Sequence, residues 1–273
     1  MASTDMLEII QHAKEELKKF NDISLEPVAH VYSDSTDTVY TSVTTFVKKY
    51  AKEFDKNRKA LECALRNGRL VNEVLEEWEM KGAYARRLGT EIHSVMEHLW
   101  KKDENVPNWK LMDEFPGMKE DFEFRKGVCE ELYGKMSDFY EPIANEIIVN
   151  DRALGLAGTI DFVAYNKKTE SVDILDWKTS KSFSVKSGKN TLRAPFDTFP
   201  NTNVSEYSLQ LSLYKYMVEK HTRLKIGELR LFQIPKTGKV KTMKCYDMVD
   251  LIRAELFSAE LLSDGEVIEY ARK

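Results

Sequence analysis

Residues 171–178 read Ser-Val-Asp-Ile-Leu-Asp-Trp-Lys, a strand-like run that ends in charge. Side chains alternate along a strand, so Val172, Ile174, Asp176 and Lys178 share one face. A buried face excludes a carboxylate and an ammonium unless they are paired or bound to metal. Alone, an Asp-x-Lys tripeptide is more often a strand-end ion pair than a catalytic unit. The preceding run, Gly158-Thr159-Ile160-Asp161-Phe162-Val163, sets a second aspartate in a hydrophobic strand, where that residue is depleted. Asp161 and Asp176 are 15 positions apart across a turn near Asn166, so antiparallel pairing would bring them together. Two adjacent carboxylates repel unless a cation lies between them, and hard oxygen donors suit Mg²⁺ or Mn²⁺.

Two helical patterns add donors. Gly89 precedes His93 by one turn, on the same face, within an apolar stripe of Leu88, Ile92, Val95, Met96 and Leu99. Glycine inside a helix costs about 1 kcal/mol relative to alanine, so the sequence suggests close approach of another group at Gly89. An inward histidine is more often a hydrogen-bonded core residue than a ligand. Gln210 and Tyr214 are also one turn apart, which alone describes an ordinary amphipathic helix.

The elements that must position these residues follow from periodicity. Residues 5–20 predict an amphipathic helix, and Val28–Tyr32 with Thr38–Tyr40 a hairpin. Ser42 is a good cap for a helix from Val43, and long helical patterns continue to about Trp100. Residues 105–117 predict a loop and 118–140 a helix. From 143 the pattern changes to short β-branched and aromatic runs, 143–149, 156–165 and 171–177. A polar loop then leads to a helix at 205–221, a hairpin over 229–234 and 240–246, and a last helix at about 249–262. The expected fold class is α/β (α+β), behind a helical N-terminal region.

Composition excludes other classes. The 273 residues are 42% hydrophobic and 32% charged, which is globular, and no apolar run reaches the roughly 20 residues of a membrane span. The first 20 residues alternate acids and bases, unlike a signal or transit peptide. Three scattered cysteines (Cys63, Cys129, Cys245) argue against a disulfide framework, so a reducing, cytoplasmic setting is expected. The net charge of −4 argues only weakly against a nucleic-acid partner, because binding depends on where charge sits.

The ordered set Gly89-x-x-x-His93, Gly158-x-x-Asp161, Asp176-x-Lys178 and Gln210-x-x-x-Tyr214 resembles the RecB-like branch of the PD-(D/E)XK nucleases, over about residues 85–220. Glu146 resembles a glutamate often found on the preceding strand in this branch. Ser42-Val43-Thr44-Thr45 is reminiscent of the mitochondrial genome maintenance exonuclease family and its phage relatives. The resemblance implies a restriction-endonuclease-like core over 85–273, with a central mixed sheet flanked by helices. Residues 1–84 would form a mainly helical region arching over the site as a DNA guide. It implies that Asp161, Asp176 and the backbone carbonyl of Trp177 ligate Mg²⁺ or Mn²⁺. His93 would be a further ligand, a nitrogen donor favouring Mn²⁺, and Glu146 a candidate additional carboxylate. Lys178 would stay protonated and stabilise charge on the phosphate, while Gln210 and Tyr214 organise the site. Iron–sulfur members need four cysteines around the core, so no cluster is expected here.

Substrate contacts have their own signature. Residues 177–196 carry Lys178, Lys181, Lys186, Lys189 and Arg193 and no acid. Such a run supplies phosphate contacts when it is more than a solvated loop. A second cluster, Lys48, Lys49, Lys52, Lys56, Arg58 and Lys59, is interrupted by Glu53 and Asp55. The expectation is a metal-dependent DNA exonuclease preferring single strands with free ends, acting in repair, recombination or replication. A helicase or single-strand-binding protein would be its companion, and no membrane is involved. A flap or branched-DNA endonuclease of the same fold and an inert nucleic-acid-binding module are the alternatives.

Overall fold

The computed structural model describes residues 4–27, 29–102, 107 and 115–255. Helix α1 (Thr4–Leu17) buries Ile10, Ala13 and Leu17 at helical spacing and tightens into a 3-10 turn over Lys18–Phe20. Strands β1 (Ile23–Glu26), β2 (Val31–Asp34) and β3 (Val39–Ser42) form an antiparallel meander. Ser42 then caps α2 (Val43–Lys48), its Oγ accepting from Thr45 N at 3.1 Å. Helix α3 (Lys56–Asn67) is capped by Asp55 and ends at Gly68, whose φ of 63° lies in the left-handed region. Helices α4 (Val71–Lys101) and α5 (Met118–Met136) follow.

The second half supplies most of the sheet. Strands β4 (Tyr140–Asp151), β5 (Leu156–Asn166) and β6 (Ser171–Lys178) form an antiparallel meander. After helix α6 (Asn203–His221), β7 (Ile226–Gln233) pairs parallel to β6, and β8 (Lys241–Lys244) closes the edge. The eight-stranded sheet runs β1-β2-β3-β5-β6-β7-β8, with β4 paired to β5. Because β4 occupies one edge of β5 along its whole length, β3 and β6 share the other edge. There β3 meets Leu156 and Ala157, and β6 meets Phe162 to Asn166. Residues 158–161 of β5 lie in the gap between those two neighbours.

Alternation along β5 and β6 divides the core. Val163 and Ile174 pack with Leu209, Leu213 and Met217 of α6 on one face. Phe162, Leu175 and Trp177 pack with Ile92, Met96 and Trp100 of α4 and Phe122 of α5 on the other. Helix α6 is buried on its outer side too, where Ser208 and Ser212 accept from the amides of Tyr246 and Met248 at 3.1 and 3.0 Å. This is the mixed sheet flanked by helices that the resemblance implies.

Several boundaries differ from expectation. Helix α5 stops at Met136 rather than near 140, and β4 starts at Tyr140 rather than 143. Pro142 is tolerated there because β4 pairs with β5 alone and the register shifts between Pro142 and Ala144. The first 84 residues contribute three sheet strands besides their helices, and the sequence reading did not anticipate β1. The boundary expected at residue 84 lies inside α4, which runs through it unbroken. Of the last expected helix, residues 249–255 are helical and the rest lie outside the described residues, as does most of the 105–117 loop.

Candidate active site

Three adjacent strands carry one acid each at the same level. Asn145 pairs with Phe162 and Ile147 with Ile160, which sets Glu146 opposite Asp161. Phe162 pairs with Leu175, and the next residue outward on each strand is Asp161 and Asp176. The β5–β6 ladder stops there. In its place, Asp161 Oδ2 accepts from the Trp177 amide at 2.9 Å. Glu146 adopts φ 47°, a left-handed conformation, which costs a non-glycine residue on the order of 1–3 kcal/mol. The kink falls where the β4 ladder is interrupted, and Glu146 lines the cleft with Asp161.

Helix α4 brings His93 against these groups. Its Nδ1 lies 3.4 Å from Asp161 Oδ2 and 3.7 Å from Glu146 Oε1, and its Nε2 donates to the Trp177 carbonyl at 3.0 Å. Burial alone would lower the His93 pKa, but the Asp161 and Glu146 carboxylates outweigh it and raise it to about 9. The Asp161 carboxyl is raised by burial, with His93 and Lys178 pulling the other way. Asp176 is raised to about 6 by burial and then by Asp161, against the pull of Lys178.

Lys178 is the counter-charge. Its Nζ donates to Asp176 Oδ1 at 2.9 Å and lies 2.8 Å from Oδ2 without a directed hydrogen bond. Burial would lower the Lys178 pKa, but Asp176 and Asp161 together raise it above its ordinary value, so the side chain is an ammonium. The same Nζ sits 4.7 Å from the ring centroid of Tyr207. Tyr207 lies three positions before Gln210 and seven before Tyr214, on one face of α6. The sequence reading missed it, although this spacing was visible.

Gln210 Nε2 donates to Tyr214 Oη at 3.1 Å, and both line the cleft. Gly89 lines it too, but a Cβ there would meet Thr179 Oγ1 at an ordinary 3.5 Å. No protein atom therefore crowds position 89, which lines the cleft. The cleft is about 620 Å³ in volume. Its far wall comes from the N-terminal strands, with Tyr32 Oη 3.1 Å from Thr159 Oγ1, and from Ser42 and Thr44 at the start of α2. Lys181, Lys186, Lys189 and Arg193 stand exposed on the loop that leaves Lys178.

The donor set can be tested against a divalent cation. Ligand atoms of His93, Glu146 and Asp161 all lie within 4.8 Å of one another, and the Trp177 carbonyl borders the group. One imidazole with two carboxylates and a carbonyl is an oxygen-rich set of the kind Mg²⁺ and Mn²⁺ take. Burial raises the Asp161 and Asp176 pKa values, so both carboxylates lie where a bound cation would offset the cost of their charge, and Asp176 Oδ2 is buried without a hydrogen-bond donor. The residues fit. Asp176 is turned to Lys178 and stands beside the three-residue group, and Glu146 stands within it.

The PD-(D/E)XK nuclease superfamily model matches residues 55–267. The chain belongs to that superfamily, whose members are metal-dependent nucleases acting on DNA, typically with Mg²⁺, on a restriction-endonuclease-like fold. No curated protein matches the sequence. Among the described residues, no helix is long and apolar enough to cross a membrane.

Proposed function

We propose that this chain is a DNA exonuclease of the RecB-like kind, acting from the ends of single-stranded DNA in repair, recombination or replication. The observation that carries the reading is the meeting of His93, Glu146 and Asp161 beside the Asp176–Lys178 pair in one cleft. Helix α4 walls that cleft on one side and the N-terminal strands on the other, an enclosure that suits a single strand and its end.

A divalent cation held by His93, Asp161, Asp176, Glu146 and the Trp177 carbonyl would supply Lewis acidity toward water and phosphate. The remaining work falls to side chains. Lys178, held protonated by Asp176 and Asp161, stabilises negative charge that develops on the phosphate oxygens. Its ammonium is a donor and not a base. Asp176 orients it, and Tyr207 bounds its other side. Gln210 and Tyr214, tied to each other, offer polar groups toward the sugar-phosphate backbone. A helicase or a single-strand-binding protein would present such strands.

The test is digestion of end-labelled linear and circular single-stranded DNA with Mg²⁺ or Mn²⁺. Release of mononucleotides or short products from linear DNA alone supports the reading. Efficient cutting of the circle, or of a flap at its junction, replaces it with an endonuclease. Absence of hydrolysis and of metal binding leaves an inert binding module.

A further inference from the structure

Two basic stretches that are far apart in sequence are fastened together in the fold. The loop over residues 179–202 leaves the catalytic strand at Lys178 and folds back on itself through the Thr191–Pro200 bridge. Asn203, at the start of α6, holds it through Ser184 N and Ser182 O at 2.9 and 2.8 Å. The loop is also tied to the end of α2. Arg193 N donates to Tyr50 O at 2.7 Å, Lys52 N donates to Asn201 Oδ1 at 3.2 Å, and Phe196 meets the Tyr50 ring edge-on at 4.8 Å. Lys49 and Lys52 therefore stand beside the segment that carries Lys186, Lys189 and Arg193.

Exposed lysines elsewhere are mixed: Lys101 pairs with Glu97 and Lys135 with Glu131, whereas Lys14 and Lys119 have no carboxylate partner among the described residues. What sets this surface apart is that its cations come together from two segments. Lys49, Lys52, Lys181, Lys186, Lys189 and Arg193 are exposed, and none has a carboxylate partner among the described residues. Lys48 is set apart, since Glu206 feels its charge. Both segments set out from the cleft. Helix α2 starts at Ser42, Val43 and Thr44, which line the cleft, and the loop starts at Lys178, which lines it too.

We infer that the end of α2 and the 179–202 loop form one cationic track that holds the phosphate backbone of a nucleic-acid strand outside the cleft. The inference rests on the nuclease reading for where the strand goes. Arg193 Nη1 donates to Lys49 O at 3.4 Å and Lys49 Nζ lies over the Phe46 ring, but neither has a carboxylate to offset its charge. A row of cations without carboxylate partners, beside a site that takes phosphodiesters, is complementary to a polyanion and costs self-repulsion without one. Contacts of this kind are sequence-independent and salt-sensitive.

The test is fluorescence-anisotropy binding of an end-labelled oligothymidylate in EDTA, so that no strand is cut, across a range of NaCl. The wild type is compared with K52Q/K186Q/K189Q and with K18Q/K101Q/K135Q, which removes the same charge elsewhere. The track triple should weaken binding at least tenfold and flatten the log–log salt slope by about 2, at roughly 0.7 per phosphate contact. The control triple should change neither. Equal behaviour of the two triples overturns the track, as does a wild-type slope near zero, a readout that needs no variant. Cleavage by the wild type with Mg²⁺ or Mn²⁺ is scored separately. Failure of the nuclease reading thus shows as absent hydrolysis, and failure of the track shows as unchanged binding.

Discussion

Tyr214 lies against the bare Cα of Gly158: a Cβ at that position would sit 2.7 Å from Cε1 and 2.9 Å from Oη of the tyrosine. The glycine therefore serves the ring that Gln210 holds from the other side, and β5 and α6 meet at this point. Gly158→Ala should displace Tyr214, lower kcat/KM for DNA at least tenfold and cost about 1–3 kcal/mol of stability as an overpacking change. Adding Tyr214→Ala removes the clash, so a double-mutant cycle on unfolding free energy should show coupling. Simple additivity would mean that the glycine serves something else.

Asp176 and Lys178 should separate by what their loss affects. Asp176→Ala should abolish hydrolysis while strand binding stays largely intact. Lys178→Ala should lower kcat far more than metal affinity, because the ammonium stabilises charge on phosphate and touches no ligand other than through Asp176. Parallel loss of Mn²⁺ affinity and rate in Lys178→Ala, read by calorimetry beside turnover, would make Lys178 a structural partner only.

On the proposed ligand set, proton and metal should compete for His93. Its pKa is raised to about 9 by Asp161 and Glu146 against the opposing effect of burial. A raised histidine contributes stability that is fully present below about pH 6.5 and is lost as pH rises through about 9. In EDTA the wild type should lose more melting temperature between pH 6.5 and 9 than His93→Gln. Mn²⁺ affinity should rise over the same window, since ligation needs the neutral ring. Melting curves that run parallel for the two proteins would show that His93 titrates elsewhere.

Tyr207 should position Lys178 through its ring face. A desolvated cation–π contact is worth about 2 kcal/mol, so Tyr207→Ala should lower kcat roughly thirtyfold with little change in KM. Tyr207→Phe keeps the ring and should restore the rate. Failure of phenylalanine to rescue would assign the role to the hydroxyl.

The sheet and its flanking helices were legible in the sequence because alternation and helical spacing are local. Asp161 and Asp176 came together as the short turn between two antiparallel strands requires. Glu146 was placed by resemblance alone, since nothing local announces a left-handed kink inside a strand. For Gly89, helix propensity reports that a side chain is missing and not what comes near, and the fold places the position on the cleft. The contact between Lys178 and Tyr207 joins a strand end to a helix, and periodicity within either element is silent about it. The meeting of the two basic stretches has the same cause: it depends on a contact between Tyr50 and Phe196, which are far apart in sequence.

Helix α4 spans 31 residues and crosses the point where the chain was expected to divide. Its first part packs with α3 through Val74 against Ala60 and Ala64, and its second part carries Gly89 and His93 into the cleft. Strand β3 joins the same sheet from the N-terminal side. Helix α4 and strand β3 therefore tie the first 84 residues to the sheet and cleft of the rest. A core trimmed at residue 85 would begin in mid-helix, about one turn before Gly89, and would lack one wall of its own cleft. One helix thus carries both the packing of α3 and the position of His93, so a change that shifts its first half is felt in the cleft.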